Sequence, residues 1–349
     1  MKFSMRYSID EPLKFTFHLL NEHGQNKGFF SKWGRFDGST LKLGKATYSS
    51  DQIARIEQRG HRMALVAYTG EGPTVINVGL GSRRQAEELK AALDVLRSRA
   101  IADQSLRKME AEGRAHDHRE GGCPECGAIM VLSGLVESPQ LYCEYCHRLT
   151  TIRSHSEIPP NENAFRICDE CDLFSQPKKF KVLYAWFLIF IYGIRIEEKW
   201  CCHACMRRES WKMLFGNLIF LIGVPYAIYA LIRAYANDVI GSSAFRDLDA
   251  GNIKAMKGDI DGALAHYQSI LERVPHSAGV KYNLGQGLLK QEDFAHAASA
   301  FEAALQDCSN YIPAVGALRR TYLSMGETKK LRELEALWDI QPAVPATAS

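Results

Sequence analysis

The sequence predicts a multidomain chain: an N-terminal β-rich domain closed by a helix, two four-cysteine zinc modules, a membrane helix and an all-α C-terminal repeat domain. Three observations carry this reading. Four Cys-x-x-Cys pairs hold eight of the ten cysteines, and nine of the ten lie between Cys123 and Cys205. Two central stretches, Val182 to Ile194 and Met213 to Ile232, run without a single charge. The last third repeats one pattern at a fixed period. At 349 residues the chain is also long for a single core.

The net charge of +3 is too mild to argue for nucleic acid. Residues 244–349 hold 11 Lys/Arg against 13 Asp/Glu, so the positive surplus lies in the earlier part. That surplus points toward an anionic surface; an ordinary solvated surface is the plainer alternative. The first ten residues contain no continuous apolar core, and Asp10 and Glu11 follow early, so no secretory signal is expected. Cysteines paired at two-residue spacing suit tetrahedral thiolate ligation better than a scattered disulfide framework, which implies a reducing compartment.

From the N-terminus, Leu13–Phe17 alternates as a strand should, Gly34–Gly38 reads as a turn, and Met63–Tyr68 and Thr74–Val78 read as buried strands. Ser82 is placed to cap a helix with apolar positions Ala86, Leu89, Leu93 and Leu96. Several strands closed by one amphipathic helix resemble the pleckstrin-homology-like fold over residues 10–110. The resemblance implies a lipid-headgroup or peptide site, for which Lys42, Lys45, Arg55, Arg59 and Arg62 are the candidates; the alternative is scattered surface charge. The domain is drawn at residues 1–112, and the polar, unpatterned residues 113–122 read as a linker.

Cys123-Pro-Glu-Cys126 and Cys143-Glu-Tyr-Cys146 are separated by the spacing of a structural zinc site. The segment 123–155 resembles a zinc ribbon, with Val131-Leu132 and Leu141-Tyr142 as the strands that join the knuckles and His147 as a substitute ligand it does not need. A redox dithiol is the alternative, though redox motifs come singly within a βαβ pattern. A second module over residues 165–208 pairs Cys168 and Cys171 with Cys202 and Cys205 across a longer insert. Cys201 adjoins the last pair; Cys202 preserves the two-residue spacing and is the chosen ligand. Two structural zinc ions are therefore expected, with no open coordination position.

Between those pairs, Val182 to Ile194 is too short for a spanning helix, which needs about 20 residues. Lys178, Lys179 and Lys181 precede it, and Arg195 and Lys199 follow. Basic flanks around Tyr184, Trp186, Phe187, Phe190 and Tyr192 suit a segment dipping into a membrane interface, with Val182, Trp186, Phe190 and Ile194 facing lipid. Two strands of an ordinary ribbon are the alternative. A knuckle, an apolar insert and a second knuckle resemble LITAF-type membrane-anchored zinc domains, which implies both knuckles on one membrane face. Met213 to Ile232, within a span drawn at 213–235, is long enough to cross; its membrane residues are Leu214, Ile219, Pro225 and Ile232. Pro225 after Gly223 should kink the helix or turn it back. Basic residues crowd its N-terminal flank, which places the N-terminal and zinc modules in the cytoplasm and leaves the side of the repeats open.

In the tail, Ala263 and Tyr267 recur as Ala297 and Phe301, and Ala250-Gly251 recurs as Leu284-Gly285, all at one common offset. The pattern over residues 244–340 resembles tetratricopeptide repeats, which implies paired helices and a groove for a protein or peptide partner. A third unit departs from it, with Glu335 where Tyr267 and Phe301 stood, as a capping repeat does. Residues 341–349, rich in Pro and Ala, read as a disordered tail.

No Ser/His/Asp set, phosphate loop or His-Glu-x-x-His helix is present in the sequence. The expected function is a non-enzymatic, membrane-associated, zinc-binding adaptor that recruits a protein through its repeats. A zinc-ribbon nucleic-acid-binding or regulatory protein and a Cys-x-x-Cys redox protein are the alternatives. Arg148 and Arg153 near the ribbon are opposed by Glu125, Glu137 and Glu144, a poor footprint for nucleic acid.

Overall fold

The computed structural model describes residues 12–49, 52–70, 72–151, 165–188, 191–218, 223–236 and 243–340. The chain divides into two compact units, Met1–Ser133 and Gly134–Ser349.

In the first unit, β1 (Leu13–Leu19), β2 (Lys32–Phe36), β3 (Thr40–Leu43), β4 (Ala46–Ser49), β5 (Ile53–Arg59), β6 (Arg62–Thr69) and β7 (Gly72–Leu80) form one antiparallel sheet in the order β4-β3-β2-β1-β7-β6-β5. Alternation decides which face is buried. Phe15 and Phe17 on β1 and Met63, Leu65 and Ala67 on β6 point inward against Ala86, Leu89 and Leu93 of α1 (Arg83–Ala111). Ser82 caps that helix, its Oγ accepting from the Gln85 amide at 3.2 Å.

Gly34 does not start a turn. It lies inside β2, where a Cβ would come within 2.3 Å of the Phe15 ring, so the glycine serves close packing. The basic candidates do not converge along the sheet. Lys42 on β3 and Lys45 in the β3–β4 turn are separated in strand order from Arg55, Arg59 and Arg62 by β2, β1 and β7, and Arg55 pairs with Glu57 at 2.7 Å. The expected linker is partly ordered: a short 3-10 turn spans Ala115–Asp117, and β8 (Glu120–Gly122) pairs with β9 (Ile129–Val131).

Among the described residues the second unit holds three hairpins: β10 (Gln140–Tyr142) with β11 (Leu149–Thr151), β12 (Arg166–Ile167) with β13 (Phe174–Ser175), and β14 (Lys178–Leu188) with β15 (Ile191–Cys201). Val131 and Tyr142 are therefore not partners; each knuckle is built inside its own hairpin. The apolar insert forms the long strands β14 and β15.

The spanning helix is not formed. Among the described residues no helix is long and apolar enough to cross a membrane. The stretch is divided between α2 (His203–Asn217), which carries Arg207, Arg208, Glu209 and Lys212, and the short α3 (Val224–Ala236). At about 1.5 Å per residue, α3 is some 20 Å long against a core of about 30 Å. The break has a cause. Asn217 is fully buried, and its amide donates to Met213 O at 2.8 Å and Leu183 O at 2.9 Å. Gly223 packs directly on it, since a Cβ there would lie 2.1 Å from Asn217 Oδ1. The chain then folds back, and Trp211 Nε1 donates to Tyr235 Oη at 3.4 Å. Of the expected lipid-facing residues, Val182 is buried in the protein beside Phe180 and Met213, Leu214 packs on the same cluster, and Pro225 and Ile232 are exposed. Trp186 lies on β14 and Ile194 on β15; Phe190, Ile219 and the tail 341–349 lie outside the described residues.

The tail forms helix pairs as expected: α4 (Leu248–Lys257) with α5 (Ile260–Arg273), α6 (Ala278–Lys290) with α7 (Phe294–Asp307), and α8 (Ile312–Met325) with α9 (Thr328–Leu337). Asp259 and Asp293 cap α5 and α7, accepting from Gly262 N at 3.0 Å and His296 N at 3.3 Å. Gly251 lies against Tyr267 and Gly285 against Phe301, with room for no Cβ (2.8 and 2.5 Å). In the third pair the same positions carry Arg319 and Glu335, which form a 2.7 Å ion pair, and Glu335 is buried. The departure at Glu335 is thus a matched exchange: glycine and ring have become cation and anion.

Candidate metal centres

Three of the four cysteine pairs sit in one backbone turn. The amide of the first cysteine donates to the carbonyl five residues on: Cys123 to Ala128 (2.8 Å), Cys143 to Arg148 (2.9 Å) and Cys168 to Leu173 (2.9 Å). The amide four residues on donates back, from Gly127 (2.9 Å), His147 (2.7 Å) and Asp172 (3.0 Å). These last three residues are left-handed, with φ of 76°, 59° and 56°. Glycine adopts that region freely, and His and Asp are among the side chains that tolerate it best. His147 therefore shapes its turn, and its Nδ1 lies 3.0 Å from Tyr142 Oη.

The fourth pair is helical. Cys202 is the N-cap of α2 and Cys205 lies in its first turn, with Met206 N donating to Cys202 O at 2.8 Å. A helix N-terminus favours thiolate over thiol. The Sγ atoms of Cys168, Cys171, Cys202 and Cys205 all lie within 4.8 Å of one another, and Cys171 and Cys202 are 3.9 Å apart. Tetrahedral zinc with Zn–S near 2.3 Å requires sulfurs roughly 3.8 Å apart, so the set fits. The Cys202 amide donates to Cys168 Sγ at 3.3 Å, a charge-assisted contact that suits a ligating thiolate. Cys201 ends β15 opposite Lys178 and is not one of the four. Cys123, Cys126, Cys143 and Cys146 form the second such group, again with all sulfurs within 4.8 Å. Zinc there would have four sulfur ligands and no open position, a structural role.

Within the 168/171/202/205 group the hydrogen bonds favour the thiolate at Cys168. Cys168 accepts hydrogen bonds from Cys171 and then from Cys201, Cys202 and Cys205, which hold its pKa far below the thiol range. Cys202 and Cys205 are pushed up, first by donating to Cys168 and then through Cys171 and burial. Four thiolates at this spacing need a cation to ionise together. Outside the sulfurs, Asp169 fastens the knuckle to β15: its carboxylate accepts from Trp200 N at 2.8 Å and its amide donates to Trp200 O at 2.9 Å. Arg166 and Lys179 stack on the Trp200 ring at 4.7 and 5.4 Å, and Glu170 pairs with Lys199 and Arg208.

Sequence reasoning missed what the knuckle delivers next. Phe174, three residues after Cys171, is fully buried against the repeats. Its amide donates to Asn283 Oδ1 at 2.7 Å, and its carbonyl accepts from Asn252 Nδ2 (3.0 Å) and Asn283 Nδ2 (2.8 Å). The two asparagines are joined at 3.0 Å, and Tyr267 Oη donates to Asn252 Oδ1 at 2.8 Å. Gly279 makes room for the ring; a Cβ there would lie 2.3 Å from it. Tyr142 is held the same way by Asn310, which accepts from its amide at 2.9 Å and donates to its carbonyl at 2.7 Å. For Asn252 and Asn283 the available signal was a polar residue inside a helix face that is otherwise apolar, a position that demands a partner; Asn310 lies in the α7–α8 connection, where no such signal exists.

No protein-family model matches the chain. No curated protein matches it. Among solved structures, one titled "MamA AMB-1 P212121" aligns with 18% identity over 40% of this chain and 74% of that one, at a TM-score of 0.26.

Proposed function

We propose that the chain is a non-enzymatic adaptor. Two zinc centres fix its hairpins, the repeat domain recruits a protein partner, and the arm made by β14, β15, α2 and α3 rests on a membrane surface without crossing it. The distribution of charge along that arm supports this best. α2 lies along β14, with Leu183 N donating to Met213 Sδ at 3.1 Å and Asn217 donating to Leu183 O. α3 returns beside them, Tyr226 Oη donating to Lys181 O at 3.3 Å. Beyond Lys181 on β14, and between Lys212 on α2 and Arg233 on α3, the sequence has no charge, while β15 carries Arg195 opposite Tyr184 and Glu197 opposite Val182. The cations Lys178, Lys179, Lys181, Arg207, Arg208 and Lys212 lie toward the metal end, where Lys181, Arg208 and Lys212 pair with Glu198, Glu170 and Glu209. Phe215, Leu218 and Tyr229 expose apolar surface farther along, and Trp211 and Ile232 expose more of it beside the charges. An apolar end with a cationic collar suits an anionic lipid interface.

Density-gradient flotation of the full chain with phosphatidylcholine vesicles, with and without phosphatidylserine, tests this. The protein should rise with the anionic vesicles, less so at high salt, and Trp211→Ala combined with Phe215→Ala should lose the effect. Wild-type protein that stays at the bottom with both vesicle types refutes the membrane assignment.

A further inference from the structure

We infer that the face of the repeats made by α4 and α6 is a seat for an extended, aromatic-bearing segment, that this chain fills the seat with its own Phe174, and that the zinc held by Cys168 and Cys171 keeps it filled. This rests on the adaptor reading, because it names the kind of segment the repeats take.

The grip on Phe174 is made almost wholly to the main chain. Asn283 both accepts from the Phe174 amide and donates to its carbonyl, and Asn252 donates to the same carbonyl. Bonds of that kind select an extended backbone and ask nothing of the flanking side chains. The ring supplies the rest. It stacks on Phe165 at 5.5 Å, meets Phe245 edge-on at 6.4 Å and lies against Gly279, a position no larger residue could occupy. Both asparagines are buried, and an empty seat would take from Asn252 Nδ2 and Asn283 Oδ1 the partners they have here, leaving the pair only its bond to each other and the one from Tyr267, so a filled seat is favoured.

The occupant is fixed by the knuckle. Cys168 N to Leu173 O and Asp172 N to Cys168 O close the turn immediately before Phe174, and Ile167 pairs with Phe174 across β12 and β13. The path from Cys171 to the seat runs through Asp172 and Leu173 alone and has no slack. With the four sulfurs bound, the segment is pre-organised and the seat closed. Without metal, the turn is held only by its own hydrogen bonds and by the contacts of Asp169 and Glu170 with Trp200, Lys199 and Arg208, and a rival segment competes with a looser, though still tethered, occupant.

The probe is a fluorescein-labelled synthetic peptide of residues 165–177 carrying Cys168→Ser and Cys171→Ser, so that it binds no metal. Its anisotropy is read against the full chain. Zinc-loaded wild-type protein should leave the peptide free. Chelated wild-type protein, and zinc-loaded Phe174→Asp protein whose own segment is expelled, should bind it at least tenfold more tightly. Adding Asn283→Ala to either should abolish binding, and amide exchange in α4 and α6 should speed up on chelation while α7 stays protected. The inference falls if loaded and chelated wild-type protein bind the peptide equally, or if Phe174→Asp protein with native helical circular dichroism does not bind it. Vesicle flotation of the same proteins keeps the two readings apart: loss of peptide binding with flotation intact refutes the seat, and loss of flotation with peptide binding intact refutes the membrane assignment.

Discussion

Glu335→Ala is the substitution whose cost the structure defines most closely. Glu335 is 4% exposed and accepts from Arg319 at 2.7 Å, while the Arg319 side chain keeps 28% of its surface. Breaking a fully buried pair costs about 3–5 kcal/mol, because one charge is left unpaired. The Arg319 side chain is partly exposed, so the residual charge is partly solvated and the expected loss is about 2 kcal/mol. Arg319→Ala should cost more, about 3 kcal/mol, since it takes the cation from the better buried carboxylate. Their coupling in a double-mutant cycle should be about 1–2 kcal/mol. Arg319→Gly with Glu335→Phe rebuilds the glycine–ring contact of the other two repeats. The helical glycine costs about 1 kcal/mol and the buried ring returns about 2–3 kcal/mol, so this double variant should lie near wild type. Amide exchange in α8 and α9 reads local opening directly and avoids treating a multidomain chain as two-state. A coupling below about 0.5 kcal/mol, or a rebuilt pair no better than Glu335→Ala, would refute the matched exchange.

Three further outcomes follow. Cys202→Ser should reduce bound zinc from two equivalents to about one, whereas Cys201→Ser should leave two, as measured by elemental analysis of the purified chain; equal loss would reassign the ligand. Gly285→Ala should destabilise the repeats by about 1–3 kcal/mol because its Cβ meets the Phe301 ring, while Gly316→Ala, with nothing within 4 Å, should be neutral or stabilising by up to about 1 kcal/mol; thermal midpoints decide between them. Burial pushes Tyr282 up to about 12. An unfolded tyrosine ionises near pH 10, so the unfolded chain sheds its proton first; stability is intact below pH 10 and falls as pH rises from about 10 to 12. A urea midpoint that stays flat across that window would contradict the burial of Tyr282.

What was legible in the sequence was local chemistry with a fixed period or spacing. The glycine–ring pairs Gly251–Tyr267 and Gly285–Phe301 recur in register because each repeat solves the same packing problem, and the cap at Ser82 needs only its own neighbours. The two-residue spacing between cysteines fits a knuckle closed by hydrogen bonds within its own short turn. Strand pairing was not legible in the same way: Val131 and Tyr142 both read as strand, but which strand each joins depends on where the chain turns, and His147 conceals a left-handed turn that glycine would have announced.

The expected spanning helix failed for a reason that hydropathy does not contain. The uncharged run from Met213 to Ile232 satisfies a length criterion, yet Asn217 within it has two carbonyl partners, Met213 O in its own helix and Leu183 O on β14. Only the second is a tertiary contact, and it exists because the metal end aligns α2 with β14. A polar side chain that finds such a partner becomes a fixed corner, and Gly223 supplies the surface on which the chain turns back. Asn252 and Asn283 follow the same logic from the other direction. They occupy helix faces where the repeat pattern wants apolar residues, and their cost is offset only because Phe174 arrives from the second knuckle, far earlier in the chain. Buried asparagines thus mark the places where distant parts of this chain were fitted to one another, and hydropathy scores them simply as interruptions.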